Sequence, residues 1–149
     1  MRPQALTKVE ELRILVVTQY YPPEIGAAQN RLSRFAAFLR EAGHTVTVLT
    51  ALPNYPKGKI YDGYNNRLVV TEILDGVTII RTWLYTKQNV QFVGRLSHYI
   101  SFSILALVVS VFKIGRQDIV ITECPPLFTG IAGYLISKMK YAKFVLNVS

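Results

Sequence analysis

Short apolar runs alternate along this chain with stretches whose apolar residues recur every three or four positions, and that alternation predicts strands interleaved with helices. Ile14 to Val17 (ILVV) is an apolar, β-branched run suited to a central parallel strand. A loop follows, beginning at Gln19 with two tyrosines and two prolines. Leu32, Phe35, Ala36 and Leu39 then share one helix face, and Gly43 stands where a left-handed C-terminal cap belongs. His44 to Thr50 (HTVTVLT) is the second strand, completing a βαβ unit whose right-handed crossover places both strands parallel in one sheet.

Residues 51–66 (ALPNYPKGKIYDGYNN) carry every turn signal and form a loop longer than a connection needs. Arg67 to Leu74 and Val77 to Arg81 flank Asp75-Gly76, which predicts an antiparallel hairpin. Gln91 to Phe112 reads as one long helix ending in YISFSILALVVSVF, an apolar run of 14 residues. A membrane span needs about 20, so two readings stay open, a helix buried in the core or one lying against a membrane surface. Asp118 to Thr122 (DIVIT) is a further parallel strand, and Glu123-Cys124-Pro125-Pro126 leads into a helix from Leu127 to Lys140, with proline suited to the first turn. Gly130 and Gly133 let that helix sit close to the sheet, and Lys143 to Val148 (KFVLNV) is the last strand. The expected fold is α/β, a Rossmann-like, mostly parallel sheet with helices on both faces and an added β-hairpin.

The 149 residues, half of them apolar, suffice for one full core, so a single domain over 1–149 is expected. One cysteine, Cys124, excludes an intrachain disulfide and a cysteine-rich metal site, fits a reducing cytoplasm and is expected as a buried thiol. The polar start MRPQALTKVEELR has no apolar signal core. Seventeen Lys and Arg against nine Asp and Glu leave a net charge of +8, which favours an anionic partner. Nucleic acid ranks low, because basic and aromatic residues do not interleave and no helix-turn-helix cue appears. His44 and His98 lack partners for a metal site, and the dinucleotide-binding glycine fingerprint of a dehydrogenase is missing.

The strand, loop and helix from Arg13 to Ala42 build a place for anions, since free N–H groups at a helix start hold phosphate or carboxylate. Gly26 either permits close approach there or merely lets the chain turn. The loop after the second strand and the residues after the fifth reach the same rim. Tyr20, Tyr21, Glu24, Gln29 and Arg31 come from the first loop and helix start, Asn54, Tyr55 and Lys57 from the second loop, and Glu123 from a later strand end. Tyrosine faces suit sugar rings, Asn, Gln and Glu suit hydroxyls, and Arg31 and Lys57 suit a pyrophosphate.

RILVVTQYYPPEIGAAQNRLSRFAAFLREAGHTVTVLTALPNYPKG, with ITECPPLFTGIAGYLISKMKYAKFVLNVS, resembles the amino-terminal domain of family-four retaining glycosyltransferases of the two-domain GT-B fold, notably bacterial surface-polysaccharide enzymes such as fucosamine transferases. The resemblance covers nearly the whole chain. It implies one half of a GT-B fold that binds mainly the acceptor, in an enzyme moving a sugar from a nucleotide-sugar donor to a lipid-diphosphate-linked or glycan acceptor, with no essential metal or other cofactor. A donor-binding carboxyl-terminal domain is then absent, and the chain alone is expected to be inactive. Gly26-Ala27 matches the glycine loop that approaches the donor diphosphate, with one glycine where many relatives have two. Glu123 occupies the position often held by a histidine near the acceptor, leaving two roles open, general base or an anion at a helix N-terminus. The site would lie at the cytoplasmic membrane face, with possible peripheral membrane contact. The alternative is a non-catalytic Rossmann-like module that binds a nucleotide, an anionic ligand or a protein partner.

Overall fold

The computed structural model describes residues 10–86, 91–124 and 126–148. The amino-terminal segment 1–9 and Pro125, both weighed above, lie outside the described residues. β1 (Arg13–Val17) leads into α1 (Ala27–Glu41) and β2 (Thr45–Ala51), followed by the hairpin β3 (Val69–Leu74) and β4 (Val77–Thr82). Then come α2 (Phe92–Lys113), β5 (Ile119–Cys124), α3 (Leu127–Met139) and β6 (Lys143–Val148). The strands form one sheet in the order β3-β4-β2-β1-β5-β6, with β3 antiparallel and every other pairing parallel. The fold is therefore Rossmann-like, as the periodicity predicts.

Alternation along β1 explains why it lies in the middle. Ile14 and Val16 face one side with Leu32 and Ala36 of α1, and Leu15 and Val17 face the other with Phe102, Ala106 and Val109 of α2 and Ile136 of α3. A strand apolar on both faces needs helices on both, which the βαβ crossovers supply. The hairpin turns at Asp75-Gly76, both at positive φ (52° and 76°), as a tight two-residue connection requires. Gly43, at φ 100°, ends α1 as expected.

Three details differ from the sequence reading. β5 continues through Glu123 and Cys124, because β6 is there to pair with them, Glu123 opposite Asn147 and Cys124 opposite Val148. Cys124 is half-buried rather than buried. α2 answers to neither reading alone: Phe102, Ala106 and Val109 fill the core, while Ile100, Ile104 and Val108 on the opposite stripe are exposed.

Candidate functional site

Strand order reverses at β1: its crossover through α1 leads to β2 on one side, and the crossover from β4 through α2 leads to β5 on the other. Open α/β sheets bind ligands at the carboxyl ends of the strands at such a reversal. Here that rim carries the loop after β1, the loop after β2 and the join from β5 to α3.

The two loops are tied together by one carboxylate. Glu24 is buried, and its Oε2 accepts hydrogen bonds from the Asn54 N–H (2.9 Å) and the Tyr55 N–H (2.6 Å), while Oε1 accepts one from the Tyr21 N–H (3.3 Å). Burial pushes its pKa up, opposed by those three N–H groups and by Arg81. Tyr20 and Tyr55 meet edge to face with ring centroids 5.7 Å apart. Burial, reinforced by Tyr99, Glu24 and Tyr55, raises the Tyr20 phenol well above its ordinary range. Tyr61 donates its hydroxyl to the Tyr55 carbonyl (2.6 Å), closing the second loop on itself.

Arg81 is a residue that sequence reasoning missed. It lies at the end of β4 with 1% of its surface exposed, and its guanidinium reaches the Pro22 carbonyl, the Ala51 carbonyl and the Glu72 carboxylate (3.2 Å), with the Tyr64 ring 5.6 Å away. The first loop, β2 and β3 thus meet on one buried cation. A charged residue inside a strand, directly after Ile79 and Ile80, is the signal that marks it.

The first loop enters α1 through Gly26, whose backbone is extended (φ 176°), so the glycine answers a steric need and not a torsional one. A Cβ there would lie 2.3 Å from the Gln29 side-chain oxygen. No side chain caps α1 and no acidic residue occupies its first turn, which leaves the positive end of the helix dipole facing the rim. Ala27 is the first helical residue. Arg31, one turn further, forms an ion pair with Glu123, and Asn147 donates its side-chain amide to the other Glu123 oxygen (2.6 Å).

The structure divides the residues singled out from sequence among separate places. Tyr20 lines a pocket of about 350 Å³ with Leu96 and Tyr99 of α2 and Pro126, Leu127 and Phe128 at the start of α3. Arg31 and Glu123 line a groove of about 370 Å³ on the other side of the sheet, floored by Val16, Leu32, Ile121 and Val145. Lys57 sits in a third concavity within the second loop, beside Lys59 and Tyr61. Tyr21, Gln29 and Asn54 are buried: Tyr21 packs with Ile14 and Val16, and the Asn54 amide donates to the Leu52 carbonyl (2.8 Å). These three shape the loops from beneath. Among the described residues, no group of three or more His, Cys, Asp or Glu is placed to hold a metal ion.

No protein-family model matches the chain. In sequence it is similar to the protein named as a colanic acid biosynthesis glycosyl transferase, WcaI, of Escherichia coli (strain K12), with 27% identity over 138 residues, 92% of this chain and 34% of that protein. In structure it is similar to the catalytic domain of starch synthase IV from Arabidopsis thaliana, bound in that structure to ADP and acarbose, with a TM-score of 0.64 and 13% identity over 93% of this chain and 34% of that one. The chain thus spans about a third of the length of either protein it matches. The fold is that of part of a GT-B glycosyltransferase catalytic domain, and the sequence is glycosyltransferase-like.

Proposed function

We propose that the chain is the acceptor-side half of a retaining glycosyltransferase that moves a sugar from a nucleotide-sugar donor to a lipid-diphosphate-linked or glycan acceptor in surface-glycan synthesis at the cytoplasmic face. The observation that carries this is the uncapped, carboxylate-free start of α1 at the point of strand reversal, entered through Gly26. It is a seat for a diphosphate on a sheet whose similarity to a glycosyl transferase runs over 92% of the chain. The uncapped N–H groups after Gly26 face the diphosphate, and the Tyr20 and Tyr55 rings offer apolar faces to a sugar ring. Arg31, held by Glu123, supplies a positioned cation. Glu123 is a positioning residue in this scheme, because Arg31 and Asn147 each engage one of its oxygens. Chemistry requires a second domain to grip the donor nucleotide, so this half alone binds without turning over.

The test is the parent polypeptide assayed with a panel of nucleotide sugars and lipid-linked or glycan acceptors. Transfer with retained anomeric configuration, read by proton NMR of the product, is the expected result. Gly26→Val, which drives a branched side chain into Gln29 and over the helix start, should lower kcat/KM by about a hundredfold, about 3 kcal/mol of transition-state binding. Inverted product, or no transfer across the panel, would sink the proposal.

A further inference from the structure

α1 and α3 end on the same backbone motif, in which the chain turns away through one residue at positive φ. In α1 the Gly43 N–H donates to the Arg40 carbonyl (3.1 Å) and the His44 N–H to the Leu39 carbonyl (3.2 Å), and the turning residue is a glycine. In α3 the Tyr141 N–H donates to the Lys138 carbonyl (3.4 Å) and the Ala142 N–H to the Ser137 carbonyl (2.9 Å), but the turning residue, at φ 54°, is a tyrosine. The other described non-glycine residues at positive φ are Asn66 and Asp75, types that tolerate it, whereas a bulky side chain is strained there. Burial does not offset the strain, because Tyr141 is 97% exposed. The ring stands just before β6, at the end of the sheet away from the rim. There it lines a concavity of about 410 Å³ with Arg116, Met139 and Lys140.

We infer that this concavity docks an acidic segment of a partner protein, with Tyr141 as the anchor. Backbone strain kept at an exposed aromatic residue points to work done outside the fold, since nothing inside the fold uses the ring. Charge complementarity sets the sign of the partner. Lys113 and Lys138 stand in the last turns of α2 and α3, where they answer the helix dipoles, and Lys140 donates to the Ile114 carbonyl. Arg116 lies beyond both helices and forms no ion pair or side-chain hydrogen bond among the described residues. Asp118, two residues further on, accepts the Arg13 N–H (2.8 Å) and does not line the concavity. A protein fits the composition better than a nucleic acid does. Tyr, Arg and Met are the residues enriched at protein interfaces, whereas a duplex calls for cations spread along several phosphates. The site lies at the opposite end of the sheet from the rim, so it does not rest on the proposed activity.

Fluorescence anisotropy of the unaltered chain with a labelled peptide of glutamates around one central phenylalanine tests this. The peptide should bind saturably, and more weakly as salt rises. Tyr141→Gly should weaken it about tenfold, a loss of about 1.4 kcal/mol. The same variant should raise Tm by about 2–4 °C, because glycine makes the turn without strain. Tyr141→Phe should keep both the affinity and the Tm. Arg116→Gln should weaken the peptide by a similar factor, whereas Arg67→Gln, which removes the same charge ahead of β3, should not. Absence of saturable binding, a fall in Tm for Tyr141→Gly, or equal weakening by the two arginine variants overturns the inference. Tighter binding to phosphatidylglycerol vesicles or to duplex DNA, lost in Tyr141→Gly and Arg116→Gln, would give the patch to lipid or nucleic acid and overturn it as well. None of these measurements involves sugar transfer, so their failure leaves the proposed activity untouched, and failure of transfer leaves them untouched.

Discussion

Glu24 is a carboxylate enlisted to hold two loops, and its energetics set a pH dependence. Its folded pKa is raised above the ordinary 4.5, chiefly by burial. The folded state therefore binds more protons than the unfolded one just above that value, and stability from this group falls as pH rises through the folded pKa. Glu24→Gln keeps an acceptor for Asn54 and Tyr55 but cannot ionise, so its urea midpoint should lose less between pH 4 and pH 7 than that of the unaltered chain. An identical pH response in both would refute the assignment. Arg81→Met removes the cation that joins Pro22, Ala51 and Glu72, and should destabilise by about 3 kcal/mol in urea unfolding, the usual penalty for breaking a buried charged network. Glu123 separates two chemistries. As a general base its loss would be worth a hundredfold or more, whereas as the holder of Arg31 its replacement by Gln should raise KM by less than about tenfold and leave the pH profile of kcat in place. The sequence placed Glu24, Tyr20 and Tyr55 at the rim because loops after parallel strands end there. It did not show that Glu24 points down into backbone N–H groups, because that depends on how two loops 30 residues apart in sequence pack, as in the Glu24 to Asn54 bond.

Elements were legible where local period and local chemistry agreed. The Asp75-Gly76 turn and the Gly43 cap were readable, since each depends on residues near one another in sequence. The two glycines of α3 nevertheless differ in a way spacing alone could not show. A Cβ on Gly133 would lie 1.9 Å from the Thr122 hydroxyl and 2.8 Å from its Cβ, whereas one on Gly130 would only touch Leu146 at 3.4 Å. Gly133→Ala should therefore lift α3 off β5 and cost about 3 kcal/mol, while Gly130→Ala should be neutral or stabilise by up to about 1 kcal/mol through helix propensity. Thermal unfolding of the two variants side by side decides it, and equal effects would mean that α3 does not sit on Thr122. The end of β5 was misplaced for a complementary reason: its last two residues are strand only because β6, twenty residues later, pairs with them, as at Glu123 and Asn147. α2 was ambiguous because an apolar run gives total hydrophobicity, and only the packed sheet shows which stripe is spent on the core.

The molecule as a whole is built around one doubly covered strand, and its local stability should fall away from there on both sides. β1 pairs with β2 and β5, has Ile14 to Val17 all buried, and is packed by α1 on one face and by α2 and α3 on the other. Among the described residues, β6 pairs with β5 alone, α3 packs against it, and on the α1 side its Val145 lines an open groove. β3 is the other edge, held by β4 alone with Ile73 and Leu74 exposed. Amides that open only through global unfolding belong to segments buried on both faces, whereas edge segments exchange through local opening at lower free energy. Hydrogen exchange should thus show the slowest amides in β1, β2 and β5 and the fastest strand amides in β3 and β6. Slow exchange in β6 that matches β1 would mean that its open side is covered in solution, and the groove beside Arg31 and Glu123 would then be closed as well.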